Sequence, residues 1–154
     1  MPDVFTKAKR SAVMSRIRSR GNARTELALV RVFRALRITG WRRHVSLALQ
    51  VQGPKPKLQS RGGRVRPDFV FRKQRAAVFV DGCFWHGCPQ HGTKPRGNAA
   101  FWRKKFAANV ARDRRVTRSL RRAGWRVLRI WEHELARKRE ARLAARLNRF
   151  LTPR

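Results

Sequence analysis

Arg66-Pro67-Asp68-Phe69-Val70-Phe71-Arg72-Lys73-Gln74-Arg75-Ala76-Ala77-Val78-Phe79-Val80-Asp81 decides the fold. It reads as two short apolar strands, Asp68 to Phe71 and Ala76 to Val80, joined by the basic turn Arg72 to Arg75. Downstream, residues 81–98 carry four Gly and two Pro with both Cys and two His, a loop that needs an external staple. Ala99 to Ala123 is helical and closed by Gly124. Trp125 to Trp131 is a strand apolar enough to lie inside a sheet, and Ala136 to Leu151 is a last helix with Leu143, Leu147 and Phe150 on one side. Upstream, residues 50–65 read as a basic loop and Trp41 to Leu49 as a strand. Asn22 to Arg37 is a helix on the spacing of Leu27, Val30, Phe33 and Leu36, with Gly40 as its stop. Residues 1–20 read as a basic arm with a short helix, Val13, Met14 and Ile17 being its scattered apolar points. The order arm, α, β, β, β, α, β, α, without repeats or a domain boundary, predicts one mixed α/β domain over residues 1–154.

Composition narrows the partner. Against 40 Lys and Arg stand 8 Asp and Glu, a formal charge of +32 on 154 residues. Hydrophobic content of 42%, with five Trp and nine Phe, excludes a disordered basic tail. The longest apolar run, Ala76 to Val80, is far below the ~18 residues of a membrane span. The N-terminus has no run fit for a signal peptide, so a cytoplasmic, nucleoid-associated protein is expected. Two Cys exclude a disulfide framework and favour metal ligation. A charge this large repels itself, and a phosphate backbone neutralises it with release of counterions. The partner is a polyanion.

Acids this scarce are informative. Asp68 at a strand start and Asp81 at the end of the next bring carboxylates and a backbone carbonyl to one sheet edge. Mg²⁺ favours such oxygen sites; the plain alternative for Asp68 is a turn residue. In Asp81-Gly82-Cys83-Phe84-Trp85-His86-Gly87-Cys88-Pro89-Gln90-His91, the spacing of Cys83, Cys88 and His91 suits a tetrahedral zinc. The fourth ligand is open between His133 and His86. His86, as a neutral imidazole, is suited to take a proton from water, with Asp113 to orient it. Against this stand a structural His and an ordinary helix ion pair. Phe84, Trp85 and Trp102 suit stacking on bases, although Trp102 equally fits a core face with Phe106 and Val110.

These motifs resemble the very-short-patch-repair (Vsr-type) T:G mismatch endonucleases. The resemblance rests on Met14-Ser15-Arg16-Ile17-Arg18-Ser19-Arg20, Arg66-Pro67-Asp68-Phe69-Val70, Asp81-Gly82-Cys83-Phe84-Trp85-His86-Gly87-Cys88, Phe101-Trp102, Arg112-Asp113-Arg114-Arg115 and Gly124-Trp125-Arg126-Val127-Leu128. It implies a restriction-endonuclease-like mixed sheet flanked by helices, and Mg²⁺-dependent nicking of one strand of double-stranded DNA 5′ to the mismatched thymine. It implies that Asp68 and the Val80 carbonyl hold Mg²⁺, that His86 activates water with Asp113 behind it, and that Glu26 stands near the metal-bound water. Structural Zn²⁺ then takes Cys83, Cys88, His91 and His133. Phe84, Trp85 and Trp102 form an intercalating wedge, and Met14 and Ile17 reach the opposite groove. The chain departs from the family at Asp81, where at least one member has His, so that its part as a further metal contact is open. It also carries Val78-Phe79-Val80 where nucleases usually place a Lys, and a longer, more basic stretch over residues 48–65. A monomer is expected, with mismatch-repair proteins as partners. The competing classes are a non-catalytic zinc-stabilised basic DNA-binding module and a ribosomal-type basic protein.

Overall fold

The computed structural model describes residues 22, 24–49, 63–92, 95 and 97–152. The arm at residues 1–20, with Met14 and Ile17, and most of the basic loop at residues 50–65 lie outside the described residues. The elements are α1 (Glu26–Ala35), β1 (Trp41–Arg43), β2 (Leu47–Ala48), β3 (Arg64–Val65), β4 (Phe69–Phe71), β5 (Ala76–Asp81), α2 (Ala99–Arg122), β6 (Arg126–Trp131) and α3 (Glu140–Leu151). Two 3₁₀ turns, Glu132–Leu135 and Arg137–Arg139, precede α3.

Strands β1, β4, β5 and β6 form one sheet in that order. The first two pairings are antiparallel and β5 with β6 is parallel, so the sheet is mixed. A parallel pair needs a crossover, and α2 supplies it. Period-two alternation sends Phe69, Phe71, Val78, Leu128 and Ile130 to one face, under Leu29 and Phe33 of α1 and Leu143 and Leu147 of α3. Val70, Ala77, Phe79 and Val127 point to the other face, under Val116 and Leu120 of α2 and Leu47 of β2. With helices on both faces, every residue of β5 is buried. That is why its apolar run carries no alternation. Phe33 is fully buried and meets Phe69 and Phe71 edge-on at 5.0 and 5.6 Å; truncating it to Ala should cost about 3–5 kcal/mol.

Four expectations are corrected. The strand expected over Trp41 to Leu49 breaks at His44, whose φ of 54° turns the chain out of the sheet. Its second part, β2, pairs with β3, which lies inside the stretch read as loop. The first helix starts at Glu26 rather than Asn22, because the Asn22 carbonyl accepts the N–H groups of Thr25 and Leu27 as a turn. The last helix starts at Glu140 rather than Ala136. Glu134 ties the intervening 3₁₀ turn by accepting the Trp131 N–H at 2.8 Å and Arg146 Nη1 at 2.6 Å. The stop at Gly124 holds, with φ of +80°. There Arg75 donates to the carbonyls of Ala123 (2.7 Å) and Gly124 (3.2 Å), setting a cation at the negative end of α2.

Candidate active site and metal centre

The β4–β5 register pairs Phe69 with Val78 and stops there, with a bend at Asp68, and Pro67 just before it. In a hydrogen-bonded antiparallel pair each residue offers its N–H and C=O to the same edge. Proline has no N–H to give the Val80 carbonyl. The Val80 N–H instead goes to Asp68 Oδ2 at 2.7 Å. The carbonyl of Val80 and the carboxylate of Asp68 therefore face one edge where the ladder has run out. Burial pushes the Asp68 carboxyl up, the Val80 N–H opposes this, and the charges of Glu26 and Asp81 push it up again. A carboxylate and a carbonyl amid repelling acids fit a hard divalent cation, which would offset the repulsion.

These groups line an open cleft of about 650 Å³, with Glu26, Asp81, His86 and Asp113 in its wall and Arg64, Arg66, Arg112 and Arg115 around it. His86 Nδ1 lies 2.6 Å from Asp113 Oδ2. A carboxylate there fixes the proton on Nδ1, so the lone pair is on Nε2. Burial works against the Asp113 anion. The His86 hydrogen bond and the Arg129 and Arg112 charges outweigh it and hold this carboxyl below its ordinary value. Asn109 on α2 donates to the Trp85 carbonyl at 2.8 Å, tying the His86 segment to the helix that carries Asp113. Asp81 is a buried ion-pair partner: Arg129 donates to both its oxygens, at 2.7 and 2.6 Å. Glu26, also buried, is engaged by Arg43, with His44 Nε2 2.7 Å away.

The four groups Cys83, Cys88, His91 and His133 converge with their ligand atoms within 4.8 Å of one another. His133 Nδ1 lies 3.2 Å from Cys83 Sγ and 3.5 Å from Cys88 Sγ, and His91 Nδ1 4.0 Å from Cys88 Sγ. Zinc bonds of about 2.3 Å to sulfur and 2.0–2.1 Å to nitrogen, set tetrahedrally, give S···N of about 3.5 Å, so the donor set fits. Burial, with His91 and Arg139 beside it, pulls the His133 imidazole down, in the direction of the neutral form that a ligand needs. Burial pushes the Cys83 thiol up, a cost that a bound cation would reverse. The loop closes tightly: Gly92 donates to the Cys88 carbonyl at 2.8 Å, and a Cβ there would sit 2.5 Å from that oxygen. His86 is outside this group, so the alternative that left it as the fourth ligand is not what the geometry favours.

Beside the cleft, Phe84 touches Trp85, Trp102 and Phe106 at centroid distances of 5.0, 5.3 and 5.5 Å. Trp102 is buried and stacks on Phe106 at 5.7 Å, the core arrangement weighed for it in the sequence. Phe84 and Trp85 are half-buried, and Phe101 is the exposed large apolar side chain of the described residues, at 53%. Sequence reasoning missed Arg43, His44, Asn109 and Arg129. The signal for Arg129 was a lone cation inside the apolar run Val127-Leu128-Arg129-Ile130, which demands a buried acid.

The family model described as DNA mismatch endonuclease Vsr matches residues 2–91. The type II nicking enzyme V.NaeI of Lentzea aerocolonigenes is 58% identical over 73 residues, 47% of this chain. The chain spans only 44% of the length of that relative, and 50% of the V.NmeDIP enzyme of Neisseria meningitidis. Longer matches are the type II nicking enzyme V.NmeAIP of Neisseria meningitidis, 35% identical over 98% of this chain and 95% of its own. The DNA mismatch endonuclease Vsr of Escherichia coli is 36% identical over 86% of this chain and 74% of its own. Among the described residues no helix is long and apolar enough to cross a membrane.

Proposed function

Since this chain belongs to the Vsr family of DNA mismatch endonucleases, we propose that it nicks one strand of duplex DNA 5′ to the thymine of a T:G mismatch. The observation that carries the reading is the His86–Asp113 pair, at 2.6 Å, in the same cleft as an Asp68 aligned on Val80. Asp68 and the Val80 carbonyl would hold Mg²⁺, which would supply polarisation of the scissile phosphate and offset its developing charge. His86 takes the proton of the attacking water at Nε2. Asp113 orients the ring and stabilises the imidazolium. Glu26, held by Arg43, faces the same space and positions water.

Zn²⁺ on Cys83, Cys88, His91 and His133 staples the loop that carries His86, and residues 1–154 act as a single domain. Phe84 and Trp85, propped by Trp102, form the wedge at the mismatch, with Met14 and Ile17 of the arm on the opposite groove. The protein works as a monomer on nucleoid DNA, in company with mismatch-repair proteins.

The deciding experiment is nicking of a supercoiled plasmid with one T:G mismatch, with and without Mg²⁺. Wild type should nick only with Mg²⁺. Asp68→Ala should bind but not nick, and His86→Ala should lose roughly 10²–10⁴-fold. Tight binding without nicking by the wild type would instead establish the non-catalytic DNA-binding module.

A further inference from the structure

Asp81, His86 and Asp113 bring their ligand atoms within 4.8 Å of one another, the look of a second cation site. A fixed cation already occupies the middle of them. Arg129 stands on β6 facing α2, lies over the Phe79 ring at 4.8 Å, and has a side chain only 22% exposed. Its Nε and Nη2 take both oxygens of Asp81, at 2.7 and 2.6 Å, and Nη2 also reaches Asp113 Oδ1 at 3.0 Å. The other Asp113 oxygen holds His86.

We infer that Arg129 is a positioning residue for the nicking reaction: its guanidinium bridges Asp81 and Asp113 and holds Asp113 square to His86. Asp81 serves by anchoring Arg129 rather than by ligating metal. The inference rests on the reading of His86 as the base.

Three physical points support it. First, His86 Nδ1 is also 3.6 Å from Asp81 Oδ1, so the imidazole has two carboxylates within reach. An Asp81 neutralised by a two-pronged guanidinium competes poorly, and the ring stays on Asp113. Second, a divalent ion between these acids would face a guanidinium nitrogen already 2.6 Å from Asp81. Third, Arg129 Nη1 is buried and has no partner among the described residues. Drawing Asp81 away to a metal would leave a buried guanidinium shorter still of acceptors, a costly state.

The test combines Arg129→Met, Arg129→Lys and Asp81→Asn, singly and as Asp81→Asn with Arg129→Met, in single-turnover nicking of mismatched duplex. Arg129→Met should slow nicking roughly 10- to 100-fold, the scale of one lost charged hydrogen bond, while mismatch affinity hardly moves. Asp81→Asn should slow it too, with no change in the Mg²⁺ concentration for half-maximal rate. The double variant should be no slower than the slower single, because both changes break one unit. Arg129→Lys should recover part of the rate only, since an ammonium does not span two carboxylates as a planar fork does.

A measurement on wild type guards against variants that do not fold. The Arg129 Nε–H resonance should stay protected and unshifted when MgCl₂ is added. Wild-type rate in Arg129→Met, a raised Mg²⁺ requirement in Asp81→Asn, or loss of that resonance with Mg²⁺ would each overturn the inference. If Arg129→Met nicks normally while His86→Ala is dead, the inference alone fails. If His86→Ala nicks normally, the base assignment fails and takes the inference with it.

Discussion

Replacing Asp113 by Asn keeps the side chain's shape and removes its charge, and the neighbours decide which way the amide points. Arg129 Nη2, 3.0 Å from Oδ1, only donates, so the amide oxygen must face it. The amide NH₂ then faces His86 Nδ1 at the position where Oδ2 stood at 2.6 Å. Two donors do not pair, so the imidazole moves its proton to Nε2 and Nδ1 becomes the acceptor. The base has then lost the lone pair it needs. A carboxylate-to-amide change of this kind beside a catalytic histidine costs about 10⁴-fold. Asp113→Ala, by contrast, removes the Arg129 contact and the orienting hydrogen bond without forcing the wrong tautomer, and that hydrogen bond is worth about 1.5–3 kcal/mol or roughly 10- to 150-fold. Asparagine should therefore be the worse substitution by at least about tenfold. Single-turnover nicking under saturating Mg²⁺, with binding measured alongside, reads the difference. An Asn variant as active as the Ala variant, or close to wild type, would refute the tautomer argument and with it the role given to Asp113.

The +32 charge predicts a steep salt dependence. With about 6–10 phosphates neutralised, affinity should fall ~10³–10⁵-fold between about 50 and 200 mM salt, and a flat titration would show that the charge serves something else. Fresh protein should hold one zinc by metal analysis; Cys88→Ser should release it and expose residues 81–98 to proteolysis, and zinc-free wild type would reject the staple. Trp85→Ala should lower affinity for mismatched duplex more than for matched duplex, because stacking worth ~1–3 kcal/mol per base outweighs unstacking only where the helix is already weak. Fluorescence of 2-aminopurine beside the mismatch should rise less with that variant. Equal losses on both duplexes would make the aromatics packing alone.

What the sequence disclosed follows how local each signal is. Ala76 to Val80 was legible because a strand buried on both faces needs nothing but apolar residues. The last strand was legible because Val127, Leu128 and Ile130, which are buried, stand close together between Trp125 and Trp131. The β2–β3 pair was not legible. It joins Leu47–Ala48 to Arg64–Val65 across a stretch whose Gly and Pro speak only for a loop. In the candidate site, Asp68, His86 and Asp113 stood out because acids are rare and His86 sits in an unusual loop. Arg43 was hidden by composition, since among 40 Lys and Arg the few with buried partners look like the rest, and Asn109 is one polar residue among many on a long helix. Arg129 alone had a signal, its place inside an apolar run. Asp81, whose part as a further metal contact the sequence left open, has Arg129 on both its oxygens.

Pro67 has a consequence for how this site tolerates change. The free oxygen beside Asp68 belongs to the main chain, so the identity of residue 80 matters for fit against the sheet and not for the group it offers the cleft. Substitution at Val80 by another β-branched residue should be nearly silent. The side chain that keeps that oxygen available is one strand away. Any residue other than proline at position 67 brings an N–H, and with it a donor for one more rung beyond Phe69–Val78. Of these two positions, the one where drift is less tolerated is thus a residue that touches no substrate and has no chemistry of its own.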